Sequence, residues 1–354
     1  MKEINISKSF ETMYYDKLDN GLELYLLPNK RAKGYYITLN IKFGSIDTEF
    51  SINKKNYKVP NGVAHFLEHL MFNEPDGTTA HEMFAKLGSA CNAATSFDFT
   101  YYEVYSTNKF KENLEYLLDY VYRPYFTEKL VKNEKGIIIE EVKMGENSPY
   151  RELYFKSKEN VFFKNPYKNL ISGTVDDVKN ITLKDIELCY NTFYHPENMF
   201  VVITGNFNPY EARAMINENL SRKKFKKFNK AVKKVFKEPK EVVKTHDEKE
   251  MNILIPKAAI NIKMNTSDFK IKGIDKLKLL LYLNIFLSLK FGKTSLLSEK
   301  LLNNNLLTDD ITSGVQIDPV NTLISISFES LYPKEVLELV KEEFNDTKIS
   351  LKDL

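Results

Sequence analysis

The sequence predicts an α+β fold in two domains, each built from strands and helices. Three observations carry this. The chain has 354 residues, too many for one compact core, and 43% of them are hydrophobic and 13% aromatic, enough to fill two. Short β-prone runs alternate with longer runs in which apolar residues recur every three or four positions. The order strands, helix, helix, strands occurs before residue 222 and is repeated after residue 250.

Each element has a local reason. Leu18 to Leu27 reads as a hairpin, with Asn20-Gly21 supplying the positive dihedrals of a tight turn. Tyr35 to Gly44 reads as a strand, and Lys54 to Asn61 as a polar loop ahead of the apolar helix Val63 to Phe72. A helix from Thr79 to Leu87 closes on Gly88, a natural C-cap. Cys91 to Ser96 and the aromatic Phe97 to Tyr105 read as strands. Phe110 to Tyr122 carries Leu114, Leu117, Leu118 and Val121 at helical spacing, and Pro124 ends it. Thr127 caps a long helix through Leu130, Val131, Ile137, Ile138 and Val142 that carries Glu134, Glu140 and Glu141. Helices follow at about 151–163 and 183–193, then the short buried strand Phe200 to Asn206 and a helix from Pro209 to Leu220. The second part begins with a strand over Met251 to Met264. Leu277 to Phe291 contains Lys278, Asn284 and Lys290, so it reads as a buried helix rather than a membrane span. A helix over 296–304 and strands over 311–317 and 322–328 complete it. Ser350-Leu351-Lys352-Asp353 has the pattern of a capping box, opening a helix that stops almost at once.

Composition narrows the function. A net charge of +3 against 51 basic and 48 acidic residues selects no acidic partner. Arg222 to Lys244 holds eleven Lys or Arg residues. No recognition module surrounds them, so the segment reads as an interdomain linker, 223–250, rather than a nucleic-acid site. Cys91 and Cys189 make no disulfide framework and no Cys-x-x-Cys. With no apolar leader at the N-terminus, a soluble cytoplasmic protein is expected.

The chemistry concentrates in His65-Phe66-Leu67-Glu68-His69. On a helix, His65 and His69 leave the same face one turn apart, with Glu68 beside them. Two imidazoles so placed can close on one Zn²⁺, and the glutamate can hold a metal-activated water. The order is the reverse of the commoner His-Glu-x-x-His. A surface helix with incidental histidines is the rival, but Phe66, Leu67, Leu70, Met71 and Phe72 leave little of this helix to water.

These residues and several others resemble the pitrilysin or insulinase-type zinc peptidases, the inverzincins, and within them the compact bacterial branch similar to mitochondrial processing peptidase subunits. The resemblance rests on His65 to His69, Asn92-Ala93-Ala94-Thr95, the run Glu134 to Val142, Gly173-Thr174, Tyr194-His195-Pro196-Glu197-Asn198-Met199 and Phe291-Gly292-Lys293-Thr294-Ser295. It implies two homologous α/β-layered domains, each a mostly antiparallel sheet packed with helices. Residues 1–222 would be the catalytic, zinc-binding domain and 251–354 an inactive domain incomplete at its C-terminus. It implies one Zn²⁺ per chain held by His65, His69 and Glu141, with Glu68 as the base. Glu134 would support a ligand histidine, and Glu140 is the rival ligand should the register slip by one. Asn92, Ala93, Ala94 and Thr95 would form the edge strand that pairs with a peptide substrate. The arginine and tyrosine that the family's second half donates have no counterpart that can be placed here.

Two functions remain. One is a zinc endopeptidase acting on extended peptides or small unfolded proteins. The other is a peptidase-like binding or assembly subunit that needs a related partner, in a homo- or heterodimer, for turnover. Neither calls for nucleic acid or a membrane segment.

Overall fold

A computed structural model describes residues 1–6, 11–269 and 274–346. The chain divides into two compact units, residues 1–143 with 170–234, and residues 144–169 with 235–354. Among the described residues no helix is long and apolar enough to cross a membrane.

In chain order the strands of the first unit are β1 (Lys2–Ile6), β2 (Glu11–Lys17), β3 (Glu23–Pro28), β4 (Tyr35–Ile41), β5 (Glu49–Ile52), β6 (Lys55–Lys58), β7 (Ala90–Thr95), β8 (Thr100–Ser106), β9 (Met199–Gly205) and β10 (Val232–Lys233). Seven form one sheet in the order β1-β2-β3-β9-β4-β8-β7, antiparallel throughout except where β3 meets β9. The remaining three form a small sheet, β10-β5-β6. Strand parity assigns the two faces of the large sheet. Leu24, Leu26, Ile37, Leu39, Ile41, Tyr102, Val104, Val201 and Ile203 line the buried face, each at most 1% exposed. Their neighbours in sequence, such as Tyr25, Tyr36, Tyr101 and Phe200, line the other and are only partly covered.

Helices cover the buried face. They are α1 (Val63–Leu70), α2 (Ala80–Lys86), α3 (Phe110–Val121) and α4 (Glu128–Glu146), then, after a helix α5 (Pro149–Val161) that belongs to the second unit, α6 (Val175–Asn180), α7 (Leu183–Phe193) and α8 (Pro209–Ser221). Both α6 and α7 start with full capping boxes, Thr174 with Asp177 and Thr182 with Asp185. The start of α1 is set by a backbone crossing. Gly62 has φ 81°, and a Cβ there would lie 2.2 Å from the carbonyl oxygen of Ser172. Gly173, at φ 72°, is confined in turn by the Asn61 carbonyl. Only glycine fits either position.

The second unit has a three-stranded sheet of β11 (Lys257–Asn265), β12 (Thr312–Ile317) and β13 (Asn321–Glu329), ordered β11-β13-β12. It packs with α9 (Ile274–Phe291), α10 (Leu296–Asn303) and α11 (Pro333–Asn345) around Leu287, Phe291, Leu301, Ile324, Ile326, Val336 and Val340, while α5 lies against β11. Glu238 is fully enclosed in this unit. It pairs with Lys263 at 3.2 Å and accepts the backbone N–H groups of Phe163, Lys164 and Asn165.

Several expectations need correction. The polar loop expected at 54–61 contains β6. Asn53 and Lys54 take φ of 49° and 68° and turn β5 back into β6, a strand whose exposed Lys55, Asn56 and Lys58 show no apolar alternation. In the first hairpin only Gly21 takes a positive φ; Asn20 contributes instead by accepting the Leu22 N–H on its side chain. The apolar run in α9 is not a buried helix: Leu277, Leu281, Tyr282 and Ile285 are at least half exposed. β1, β10 and α11 were not anticipated. Within 223–250, β10 pairs with β5, and Lys233 reaches the buried Asp47 at 2.6 Å. The capping box at Ser350 lies outside the described residues.

Candidate metal centre

Helix α1 buries Val63, Ala64, Phe66, Leu67 and Leu70 almost completely, which turns its remaining face, His65, Glu68 and His69, toward α4 and β7. On α4, Val131, Ile138 and Val142 are buried. Glu134 and Glu141, one turn either side of Ile138, are therefore carried on the face nearest the core. Two helices, each fixed by hydrocarbon, thus bring five ionisable side chains together.

His65 and His69 lie with ring centroids 4.5 Å apart. His65 Nε2 is 3.7 Å from one carboxylate oxygen of Glu141, and His69 Nε2 is 3.7 Å from the other. Ligand atoms of the three residues all fall within 4.8 Å of one another. A tetrahedral zinc with nitrogen and oxygen ligands at roughly 2.0–2.2 Å sets those atoms roughly 3.3–3.6 Å apart. The two histidine–carboxylate separations, 3.7 Å each, stand just above that range. Glu134 Oε1 sits 2.9 Å from His69 Nδ1. With Nδ1–H donated to that carboxylate, Nε2 presents its lone pair toward Glu141 and His65, as a metal-ligating imidazole requires. The rival Glu140 turns away: it pairs with Lys143 at 2.8 Å and is 70% exposed.

Electrostatics also favour a cation. Burial disfavours the imidazolium of His69, but the hydrogen bond and charge of Glu134, backed by Glu68 and Glu141, prevail and raise its pKa. Burial pushes the Glu68 carboxyl upward, opposed by hydrogen bonds from Thr95 and the charge of His69, while Glu141 adds to the rise. Three carboxylates share this small volume with two imidazoles. A divalent cation offsets their repulsion and the cost of their desolvation.

Asn92, Ala93, Ala94 and Thr95 lie on β7, at one end of the seven-stranded sheet, so one side of this strand is not paired within it. Thr95, the last residue of β7, donates its hydroxyl to Glu68 Oε2 at 2.6 Å. Sequence reasoning did not foresee this contact; the strand's alternation, which puts Thr95 and Ala93 on the helix side, is the signal that points to it. The other candidate pair nearby is Cys91 Sγ with His81 Nδ1, 3.2 Å apart. Burial, with the charge of Glu103, pushes the Cys91 thiol up to about 11, so it is not a thiolate nucleophile at neutral pH.

The motifs around the centre have structural work. Tyr194 hydrogen-bonds Tyr102 at 2.8 Å beneath the sheet. His195 takes the Glu197 N–H on Nδ1 and lies 3.0 Å from the Lys226 carbonyl through Nε2. Asn61, at the foot of α1, donates to Asp177 of the α6 capping box at 3.2 Å, which ties Gly173-Thr174 to the motif helix.

The sequence profile of the insulinase family (peptidase family M16) matches residues 27–175, and that of the peptidase M16 inactive domain matches residues 180–353. A Bacillus subtilis (strain 168) protein named uncharacterized zinc protease YmfH is 39% identical over 303 residues, 85% of this chain and 70% of that protein. The zinc protease PqqE of Helicobacter pylori is 28% identical over 197 residues, and the matched stretch spans 54% of this chain but only 43% of PqqE. In three dimensions, an M16-like peptidase from Alicyclobacillus acidocaldarius superposes with a TM-score of 0.91 at 27% identity, covering 99% of this chain and 82% of that one. The chain belongs to the insulinase family, peptidase family M16.

Proposed function

We propose that the chain is a zinc-dependent endopeptidase cutting extended peptides or small unfolded proteins. The observation that carries this reading is the meeting of His65, His69 and Glu141 on one small volume, next to a buried glutamate, Glu68. Zinc held by those three residues would supply a Lewis acid, bringing the pKa of water to roughly 7 and polarising a carbonyl. Glu68 is the proton carrier: it accepts a proton from the attacking water and returns it to the leaving amine. Glu134 keeps the His69 ring turned, and the unpaired side of β7 offers backbone groups to an extended peptide.

The test uses the purified 354-residue chain and an internally quenched peptide. Cleavage should stop on chelation and return with zinc. Glu68→Gln should lose cleavage and keep the metal; cleavage persisting in that variant would remove Glu68 from the role. The match of residues 180–353 to an inactive domain favours a second reading, in which a related partner chain is needed for turnover. Zinc-loaded protein that is inert alone and cleaves once such a partner is added would establish it.

A further inference from the structure

We propose that Thr95 is a positioning residue that holds the Glu68 carboxylate from the side of the edge strand. The inference rests on the reading of Glu68 as the base. Its hydroxyl donates to Glu68 Oε2 at 2.6 Å, so the edge strand supplies this buried carboxylate with a donor. Hydrogen bonds to an ionised acceptor are about twice as strong as neutral ones.

The direction of the hydroxyl is fixed by its surroundings. Thr95 pairs with Thr100 across the β7–β8 ladder. Thr100 is fully buried and donates to the Phe43 carbonyl at 2.9 Å, while its oxygen lies 3.4 Å from that of Thr95. A hydroxyl has one proton to give. That of Thr100 goes to Phe43, the nearer acceptor, and that of Thr95 goes to Glu68. Strand parity completes the arrangement. Thr95 and Ala93 face the helices, whereas Asn92 and Ala94 face the opposite side of the sheet. The segment Asn92 to Thr95 therefore has two separable jobs: its main chain is available to a peptide, and the Thr95 side chain serves the base.

That separation makes the test sharp, because a side chain acting on Glu68 should change kcat, while one acting on the peptide should change KM. Thr95→Val keeps the shape and removes the donor. In the zinc-loaded chain it should lower kcat roughly 10- to 100-fold, the loss of one charge-assisted hydrogen bond, with KM and zinc per chain unchanged. Thr95→Ser should restore most of the rate. In a Glu68→Gln background, Thr95→Val should leave the affinity for the uncleaved peptide as it was. Should the valine variant not fold, the contrast between Thr95→Ser and Thr95→Ala decides on the same criterion. Wild-type kcat in the donor-free variant, a loss confined to KM, or a serine variant as slow as the donor-free one would overturn the proposal. Failure of the underlying reading looks different: the wild-type chain would not cleave, or Glu68→Gln would cleave as well as wild type, whatever residue 95 is.

Discussion

Helices α1 and α9 are both apolar segments, and they use their hydrocarbon in opposite ways. α1 has eight residues and buries five apolar side chains at 2% exposure or less, yet sets three ionisable groups among them. α9 has eighteen residues and leaves Leu277, Leu281, Tyr282 and Ile285 at least half exposed. Its buried charge, Lys290, is met within its own unit by Glu343 at 2.8 Å and Asp346 at 3.7 Å, an ordinary ion pair. The charges around α1 are not balanced in that way, since Glu68, Glu134 and Glu141 converge on two imidazoles. Apolar content does not by itself identify a core helix. Ionisable groups set in a helix that is otherwise enclosed, and left with an excess of one sign, are what distinguish a site from packing.

The comparison can be broken at either helix, and the largest effect should come from α1. Glu68→Gln should reduce kcat by roughly 10²–10⁴-fold in a fluorogenic peptide assay, with zinc per chain unchanged by metal analysis. Next comes the hydrocarbon that aims these groups. Leu67, fully buried, should cost about 2–5 kcal/mol of stability on replacement by Ala, read from urea unfolding. Glu134→Gln keeps a hydrogen-bonding group on His69 but removes the charge, and should weaken zinc about 10- to 100-fold in competition with a chelator. The smallest effect belongs to α9. Leu281→Lys at its exposed face should alter stability by no more than about 0.5 kcal/mol, and a loss near that of Leu67→Ala would mean that the face is covered in solution.

Much of the centre was legible because its geometry is local. His65, Glu68 and His69 are bound by helical periodicity, and Glu134 and Glu141 by two turns of one helix. The joining of the two helices was not local. It came from the resemblance, which also favoured Glu141 over its neighbour, and the structure turns Glu140 to solvent against Lys143. Thr95 and Glu68, 27 positions apart, meet only because β7 is the terminal strand of the sheet and lies against α1. β6 escaped notice because an exposed strand of lysine and asparagine has no alternation to detect. α9 misled for the converse reason: its sequence is apolar around most of the helix, so no moment marks which face the unit covers. The grouping of α5 with β11 in the second unit is likewise a matter of long-range packing, and nothing in the run from Pro149 to Val161 announces it.

The central claim is that one zinc is held by His65, His69 and Glu141. Metal content measured on the purified chain tests it most directly, alongside Glu141→Gln and Glu140→Gln prepared in the same way. One zinc per chain in the wild type and in Glu140→Gln, with loss in Glu141→Gln, is the expected result. A wild-type chain without zinc, or a metal lost with Glu140 and kept without Glu141, would contradict it.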